Sequence, residues 1–303
     1  MNVPIRQSMN LMDWLMLVAL SALWGGSFFF VGIAVKVLAP FTIVFVRLSL
    51  AALTLWIVIL VVKIPVPTSF SAWRALLIMG MLNNVIPFSL IVWGQSHIES
   101  GLASIFNAMT PLFTVLVAAI FLADERISNI KIIGVLLGLS GAAVMVGTDA
   151  LTGLGTDVLA QLAVMSAAVS YGFSMVFGRR LKSIALDPIM LAAGQVTMSS
   201  LVLAPIVLLV DKPFSQAMPG WNVWAALIAL AVFSTALAYI LFFRILTSAG
   251  ATNVSLVTFL VPISAIFLGF VFLDERLQLT HFVGMLLIVA GLTAIDGRLW
   301  KRG

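Results

Sequence analysis

The stretch FLADER at residues 121–126 is the clearest sign of a repeat in this sequence, because it occurs again, shortened by one residue, as FLDER at 272–276. The two Glu-Arg pairs lie 150 residues apart. Two glycines follow each pair at the same offset, Gly134 and Gly141 after the first and Gly284 and Gly291 after the second. The repeat predicts that the chain consists of two copies of one unit, residues 1–150 and 151–303.

Composition places both copies in a membrane. Of the 303 residues, 62% are hydrophobic and only 9% are charged, and the mean hydropathy is +1.20. Soluble domains are nearer to about 45–50% apolar and about 25% charged residues. These values exclude a disordered chain, a disulfide-rich secreted module and almost every class of soluble enzyme. The apolar runs are long and unbroken, which favours spanning helices over barrel strands, where apolar and polar residues alternate.

Ten apolar stretches have roughly the 20 residues that a helix needs to cross a bilayer. They lie at about 13–34, 40–62, 72–94, 99–121, 130–148, 157–178, 188–209, 221–243, 250–272 and 280–297. The predicted fold is therefore an all-α integral membrane protein with five helices in each copy. An odd number of crossings reverses the second copy, so the repeats are inverted and the two Asp-Glu-Arg turns should lie on opposite faces. Secondary transporters often use inverted repeats, with the substrate site near the midplane.

Lysine and arginine residues predict the orientation, because they concentrate on the cytoplasmic side of a membrane protein. If the N-terminus is cytoplasmic, twelve basic residues lie on that side and three on the other, while Arg47 lies inside the second span. The twelve are Arg6, Lys63, Arg74, Arg126, Lys131, Arg179, Arg180, Lys182, Arg244, Arg298, Lys301 and Arg302, and the three are Lys36, Lys212 and Arg276. We therefore expect both termini in the cytoplasm. The net charge of +5 is scattered between the spans, so no nucleic-acid partner is expected.

The sequence offers no catalytic or metal-binding cluster. It has no cysteine, its two histidines, His97 and His281, lie far apart, and all its carboxylates fall at span ends or in loops. We therefore expect no catalytic residue, no metal and no cofactor. Proton-coupled antiporters usually place a carboxylate at mid-depth. The absence of such a carboxylate fits a uniporter, and proton exchange through His97 or Glu99 stays open.

Uncharged polar and aromatic residues within the spans are the candidates for a substrate site. Asn83 and Asn84 lie near the middle of the third span, and Pro87 should open the helix near them by freeing a carbonyl. Amides in lipid must find partners, either a substrate or a neighbouring helix. The full candidate set is Trp24, Phe28, Asn83, Asn84, Trp93, Gln95, Asn107, Thr110, Tyr171, Ser234, Tyr239 and Asn253. For the aromatic members, core packing is the alternative.

Three further features have several interpretations or a mechanical role. Arg47 lies about 10 Å inside its span, where it could contact an anion or a carboxylate, snorkel to the headgroups, or pack against carbonyls of a neighbouring helix. Gly134-x-x-x-Gly138 predicts close helix packing, either of the fifth span on the tenth or between two protomers. Pro111 and Pro262 are the predicted hinges of the fourth and ninth spans.

In order, the chain carries LWGGSF at 23–28, VRL at 46–48, AMTPLF at 108–113 and LADER at 122–126, followed by a glycine-rich span. This order, over essentially the whole chain, resembles the EamA family of the drug/metabolite transporter superfamily. The resemblance implies duplicated five-helix units, export or exchange of small metabolites across a bacterial inner membrane, and a cavity lined by spans 1, 3, 4, 6, 8 and 9. The second half departs from the pattern, since Tyr171 replaces the tryptophan and Gln195 stands where Arg47 stands in the first half.

We therefore predict an alternating-access transporter that exports small neutral or zwitterionic metabolites, with amino acids as the favoured class. Its partners would be the small-molecule substrate and the lipid bilayer, and it would be a monomer or a homodimer. Phosphorylated metabolites or nucleotide sugars are one alternative, although they would need several inward-facing basic residues and only Arg47 qualifies. Small-drug efflux is another. A channel or an intramembrane enzyme is a more remote alternative.

Overall fold

The structure, a computed structural model, describes residues 9–122, 124–125, 128–147, 155–181, 184, 186–215 and 218–296. Within these ranges it contains helices and no strand. Ten long helices follow one another: α1 Leu11–Ala34, α2 Pro40–Val62, α3 Phe70–Gln95, α4 Ser100–Phe121, α5 Asn129–Val146, α6 Thr156–Leu181, α7 Pro188–Asp211, α8 Trp221–Ala249, α9 Val257–Leu273 and α10 Leu279–Asp296. In the part of the chain that the structure describes, nine are long and apolar enough to cross a bilayer, and α9 is shorter. The predicted ten-helix membrane fold is confirmed.

Local chemistry sets the helix ends. α1 begins at a capping box, in which the backbone N–H of Asp13 donates to Asn10 Oδ1 over 2.7 Å and the backbone N–H of Asn10 donates to Asp13 Oδ2 over 3.1 Å. Proline occupies the first position of α2 and of α7, where its missing N–H leaves no helical bond unmade. These signals fix the starts of helices whose apolar sequences alone would not define them.

Contacts between helix ends show how the chain is threaded. At the face where α1 begins, which we call face I, Ser248 Oγ near the end of α8 donates to Asp13 Oδ1 over 2.8 Å. At the opposite face II, Asp211 at the end of α7 accepts bonds from the backbone N–H and the hydroxyl of Thr42, which lies near the start of α2. The short connections between consecutive helices therefore alternate between the two faces.

The two Asp-Glu-Arg turns lie on opposite faces. Glu275, after α9, accepts hydrogen bonds from the backbone N–H groups of Ser100 and Gly101, which begin α4. Asp124, after the other end of α4, binds Arg179 near the end of α6 at 2.7 Å. Because the turns flank opposite ends of one spanning helix, the two halves enter the membrane from opposite sides, as an inverted repeat requires.

Helix packing follows the same symmetry. α1 packs on α8 and α9, and α6, its counterpart, packs on α3 and α4. α3 packs on α7, and correspondingly α8 packs on α2, while α2 with α7 and α5 with α10 form pairs that the symmetry maps onto themselves. Exchanging the two halves thus reproduces the contact pattern. The predicted boundary near residue 150, and Arg6, Arg126, Lys182, Arg298, Lys301 and Arg302 of the predicted cytoplasmic set, lie outside the described residues.

Glycines bring α5 onto α10. A Cβ atom at Gly141 would lie 2.6 Å from the carbonyl oxygen of Gly284, and one at Gly134 would lie 2.6 Å from that of Gly291. Neither position has room for a side chain, so the two backbones approach closely. This is the first of the two arrangements that the glycine spacing predicted, and it places α5 and α10 together at the periphery of the bundle.

Two hydrophobic clusters form the interior. One is centred on α1, α4, α5, α6, α9 and α10, and the other on α2, α3, α7 and α8. The ring of Tyr171 on α6 packs against both clusters. Polar side chains from α3, α7 and α8 lie near this boundary, and they form the candidate site.

Candidate functional site

Two widened helical turns mark corresponding places in the two repeats. α3 contains a π-helical segment at Met81–Val85, and α8 contains one at Val232–Leu237, 151 residues further along. A π-turn adds a residue to the helix turn and leaves the backbone locally open, and such turns are frequent at functional sites. The sequence prediction that α3 is opened near Asn83 is confirmed.

The π-segment of α3 presents Asn83 and Asn84 to a polar network. Asn83 Nδ2 donates to Gln195 Oε1 over 3.0 Å and to Tyr239 Oη over 3.2 Å. Tyr239 Oη in turn donates to Asn84 Oδ1 over 2.7 Å. We call these four residues the amide cluster. It joins α3, α7 and α8 through hydrogen bonds between uncharged groups.

Hydroxyl groups complete the network around the amide cluster. Ser174 Oγ on α6 lies 3.2 Å from Asn83 Oδ1, and Asn84 Nδ2 donates to Ser199 Oγ over 3.3 Å. Asn84 is fully buried, whereas the side chain of Asn83 is half-buried. Interhelical bonding therefore accounts for Asn84, while Asn83 keeps accessible surface for a ligand.

The sequence pattern does not predict the site residues Gln195, Ser174 and Ser199. Gln195 stands out in the sequence only because it replaces the arginine of the first repeat. A usable signal was present, since Gln195 and Ser199 are four residues apart and so lie on one face of α7. Their role depends on the crossing of α7 against α3, which only the packed structure provides.

Arg47 points into the bundle. Its side chain is 6% exposed, its Nε donates to Thr235 Oγ1 over 2.9 Å, and its guanidinium carbon lies 3.7 Å from the centroid of the Phe88 ring. The snorkelling interpretation is therefore wrong. α2, which the resemblance does not place among the cavity-lining helices, packs against α7 and α8 and carries Arg47 to the edge of the amide cluster.

Three other predicted residues lie near this boundary or on the same segments. Trp24 stacks on Phe242 with 5.6 Å between ring centroids, and Tyr171 packs against both hydrophobic clusters. Ser234, in the π-segment of α8, has a buried hydroxyl with no hydrogen-bond partner among the described residues. These groups extend the polar region with aromatic surface and with a hydroxyl able to bind a ligand.

The structure places Phe28, Trp93 and Gln95 elsewhere. Gln95 ends α3 about 17 Å beyond Asn84 along the helix, and its Nε2 donates to the carbonyl of Phe28 and to Ser100 Oγ. Trp93 stacks on His97, also at the face II end of α3. The structure therefore does not bring these residues to the asparagines, since α3 is long enough to separate Trp93 and Gln95 from them in depth. Their role in substrate binding stays a prediction.

The fourth and ninth spans are interrupted, but at different positions relative to their prolines. α4 breaks between Asn107 and Thr110, directly before Pro111, and Asn107 Oδ1 is buried without a partner among the described residues. In the ninth span a short segment, Ala251–Val254, precedes α9, and Pro262 lies inside α9 itself. Asn253 in that segment donates from Nδ2 to the Ala249 carbonyl. Hinge motion at the two prolines stays a prediction.

The two faces differ in how α4 and α9 are joined. At face II the Glu275 carboxylate accepts the two N–H groups at the start of α4, at 2.9 and 3.1 Å. Burial raises the pKa of the neighbouring Glu99, which accepts a bond from the backbone N–H of Arg276. At face I the equivalent Glu125 pairs with Arg179 and Lys131 at 3.5 and 3.9 Å, and the hydrogen bond with Arg179 lowers the pKa of Asp124. Among the described residues, hydrogen bonds of an Asp-Glu-Arg turn therefore join α4 to the end of α9 at face II only.

No group of three or more histidine, aspartate or glutamate side chains within the described ranges could hold a metal ion. A groove of about 290 Å³ between α5 and α6 is lined by apolar residues such as Leu139, Val146 and Met165. It offers no polar side chain to a substrate. The amide cluster and Arg47 gather polar side chains from four helices, and they are the candidate site for a polar molecule.

Known proteins resemble this chain over most of its length. The model of the EamA-like transporter family matches residues 12–147 and 158–295, one match for each repeat. The chain is 23% identical to the uncharacterized transporter YoaV of Bacillus subtilis over 281 residues, 91% of this chain and 94% of YoaV. It is 25% identical to the uncharacterized inner membrane transporter YedA of Escherichia coli over 280 residues, 90% of this chain and 87% of YedA.

A solved structure has the same fold. It is a crystal structure that superposes with a TM-score of 0.66 and 19% sequence identity, over 96% of this chain and 98% of the other. At this identity the likeness concerns the fold alone. It includes both repeats, because nearly the whole length of each chain is aligned.

Proposed function

The chain belongs to the EamA-like transporter family, and from this premise we propose that it moves small neutral or zwitterionic metabolites, with amino acids as the favoured class, by alternating access. The observation that carries the proposal is the amide cluster. It gathers two asparagines, a glutamine and a tyrosine from three helices at a point where two hydrophobic clusters meet. Small-molecule sites are typically apolar with a few convergent polar groups.

The chemistry of the cluster favours substrates without net charge. Amide groups supply both donors and acceptors, so they can bind an ammonium group and a carboxylate of one zwitterion. Arg47 is the one positive charge buried beside the cluster in the described part of the chain. Phosphorylated metabolites and nucleotide sugars carry more negative charge than one guanidinium neutralises, which makes them the weaker alternative.

The end contacts support alternating access. α4 and α9 are tied at face II through Glu275, whereas Glu125, its counterpart at face I, pairs with other residues. In an inverted repeat, the opposite state arises when the two halves exchange conformations. During transport, the hydrogen bonds between Glu275 and the start of α4 would break at face II, and α4 and α9 would come into contact at face I.

We further propose that face I is cytoplasmic, that both termini lie there, and that the native direction is export across a bacterial inner membrane. The excess of lysine and arginine on the face I side supports this orientation. Face I is also the side on which α4 and α9 are not tied, so this arrangement would receive substrate from the cytoplasm.

The test uses the full chain in proteoliposomes, with uptake of labelled L-threonine, L-leucine and L-phenylalanine measured with and without a pH gradient. We expect saturable uptake that Asn83→Ala or Asn107→Ala lowers by roughly tenfold, since each removes a ligand hydrogen bond. Asn222→Ala, at an exposed position of α8, is the matched control and should transport normally.

Two outcomes would contradict the proposal. Flux that rises linearly with concentration would indicate a channel, and absence of saturable uptake for every amino acid would remove the substrate class. Unaltered uptake in both folded asparagine variants would remove Asn83 and Asn107 from the site. Dependence of uptake on the pH gradient would identify proton exchange, and independence from it would identify uniport.

A further inference from the structure

We propose that Arg47 is the binding residue for a single carboxylate group of the transported molecule. The inference rests on the proposed transport function and specifies the charge that the site recognises. It assigns a ligand to a side chain that the second half of the chain lacks, because Gln195 takes the corresponding place.

Arg47 lacks a counter-charge in the described part of the chain. Arg47 is buried inside a membrane-spanning helix, and it forms no ion pair with any described carboxylate. The titratable groups near it are the phenols of Tyr171 and Tyr239, which carry no charge at neutral pH. Buried charges are normally paired, and an unpaired one in a membrane is costly and usually functional. An anionic group of the substrate would supply the missing partner.

Thr235 and Phe88 hold the guanidinium of Arg47 in a defined orientation. Thr235 Oγ1 accepts the bond from Nε, and Thr235 is itself fixed because its hydroxyl donates to the Leu230 carbonyl over 2.9 Å. Phe88 covers one face of the guanidinium plane. The two terminal nitrogens have no hydrogen-bond partner among the described residues. This outer edge of the fork is the part that binds a carboxylate through two parallel hydrogen bonds.

Arg47 lies beside the amide cluster. Its two contacts, Phe88 and Thr235, each lie four residues from a cluster member, Asn84 on α3 and Tyr239 on α8. Residues four apart lie on the same face of a helix. The guanidinium and the cluster are therefore adjacent along the facing surfaces of α3 and α8. A zwitterion could place its carboxylate on Arg47 and its remaining polar groups on the half-buried Asn83.

The charge count defines the ligand class. One guanidinium neutralises one carboxylate, whereas a phosphate monoester would leave excess negative charge in the bundle. The ligands predicted by this arrangement are monocarboxylates with a neighbouring polar group, such as α-amino acids. Their carboxamides should bind weakly, because an amide carries no charge to pair with the arginine.

The alternative role is structural: Arg47 could serve only to hold α2 against α3 and α8. The experiment separates the two roles by pairing each acid with its amide. L-phenylalanine and L-phenylalaninamide are tested as proteoliposome substrates of the wild type, Arg47→Gln and Arg47→Lys. Arg74→Gln, at an exposed position near the start of α3, is the matched control.

We expect the wild type to prefer the acid, and Arg47→Gln to lose about 10- to 100-fold in transport of the acid, the value of hydrogen bonds to a charged group. Arg47→Gln should not lower transport of the amide, because the amide has no carboxylate to pair with the arginine. Arg47→Lys should recover part of the acid transport, and Arg74→Gln should match the wild type. A structural role predicts equal losses for acid and amide. That result, or equal transport of both in the wild type and in Arg47→Gln, would overturn the proposal.

A second measurement tests the carboxylate site at Arg47 independently of the proposed transport function. The same proteins in lipid nanodiscs are heated with benzoate or phenylpyruvate and, in parallel, with benzamide, while tryptophan fluorescence reports unfolding. Greater stabilisation by the carboxylates, lost in Arg47→Gln and kept in Arg74→Gln, supports the Arg47 site even if no amino acid is transported. Equal stabilisation by carboxylates and benzamide, or no stabilisation, overturns the site even if amino-acid transport is confirmed.

Discussion

Asn83 and Asn84 are neighbours of the same residue type, yet their surroundings give them different roles. Asn84 is fully buried and bonded on both sides, to the Tyr239 hydroxyl and to Ser199. Asn83 is half-buried, with one oxygen and one nitrogen turned toward groups that a ligand could replace. A buried amide in a complete network stabilises the packed helices, while an accessible one can exchange its partners for a substrate.

Asn84→Ala should therefore act mainly on stability. It leaves the Tyr239 hydroxyl without its acceptor and removes the donor to Ser199, and unsatisfied buried groups of this kind cost about 1–3 kcal/mol. Thermal unfolding in nanodiscs, followed by tryptophan fluorescence, measures the loss. Asn83→Ala is the comparison, with a smaller loss of stability and a larger loss of transport; the reverse ranking would contradict the two roles.

The role of Arg47 depends on contacts that its position in the sequence does not reveal. The sequence identified it as the one basic residue inside a span, and it offered snorkelling, packing on carbonyls and anion contact as explanations. The choice depended on whether Thr235 and Phe88 meet it, and these lie 188 and 41 residues away in the chain. Such distances along the chain carry no local signal.

Helix ends carry much of the specific chemistry at the element scale. The first N–H groups of a helix lack intrahelical partners and attract carboxylates. Glu275 supplies such a carboxylate to α4, and Asp211 supplies one to α2. In both cases the acid comes from the end of another helix at the same face, so each cap also joins two helices of the bundle.

Removing the Glu275 cap should weaken the bundle at face II. Glu275→Ala leaves the Ser100 and Gly101 N–H groups without their acceptor, and loss of a helix cap costs about 1–2 kcal/mol. Glu125→Ala is the matched control from the other Asp-Glu-Arg turn, where the ion pairs are exposed and worth little. Unfolding midpoints of the two variants test the difference, and equal losses would contradict it.

The bundle as a whole is tightly packed at face II. A Cβ atom at Gly32 of α1 would lie 3.9 Å from the Cβ of Ser100 on α4. Two cysteines form a disulfide when their Cβ atoms are about 3.5–4.5 Å apart. The chain has no cysteine of its own, so introduced thiols would be the only ones present.

The double variant Gly32→Cys/Ser100→Cys should therefore cross-link under oxidising conditions and hold face II closed. If transport requires both faces to open in turn, uptake should fall by an order of magnitude or more relative to the reduced protein. A reducing agent should restore it. The single cysteine variants are the controls, and full uptake by the cross-linked protein would argue against alternation at this face.

The sequence by itself determined the membrane class, the ten spans, the duplication and the opened turn at Asn83. These features depend on composition, on local periodicity or on a repeat read along the chain, and none requires knowledge of which helices touch. The glycine spacing predicted close helix packing, but it left open whether the fifth span packs on the tenth or on a second protomer.

The tertiary structure alone decided which polar residues form the site. In the structure, Gln195, Ser174 and Ser199 lie beside the asparagines. Gln95 and Trp93 lie at face II, and Arg47 points into the bundle. The physical reason is that apolar helices in lipid have no marked hydrophobic face. Small residues and hydrogen bonds between distant segments set the rotation of each helix and its depth in the membrane. Which polar groups lie in contact is therefore known only from the packed helices.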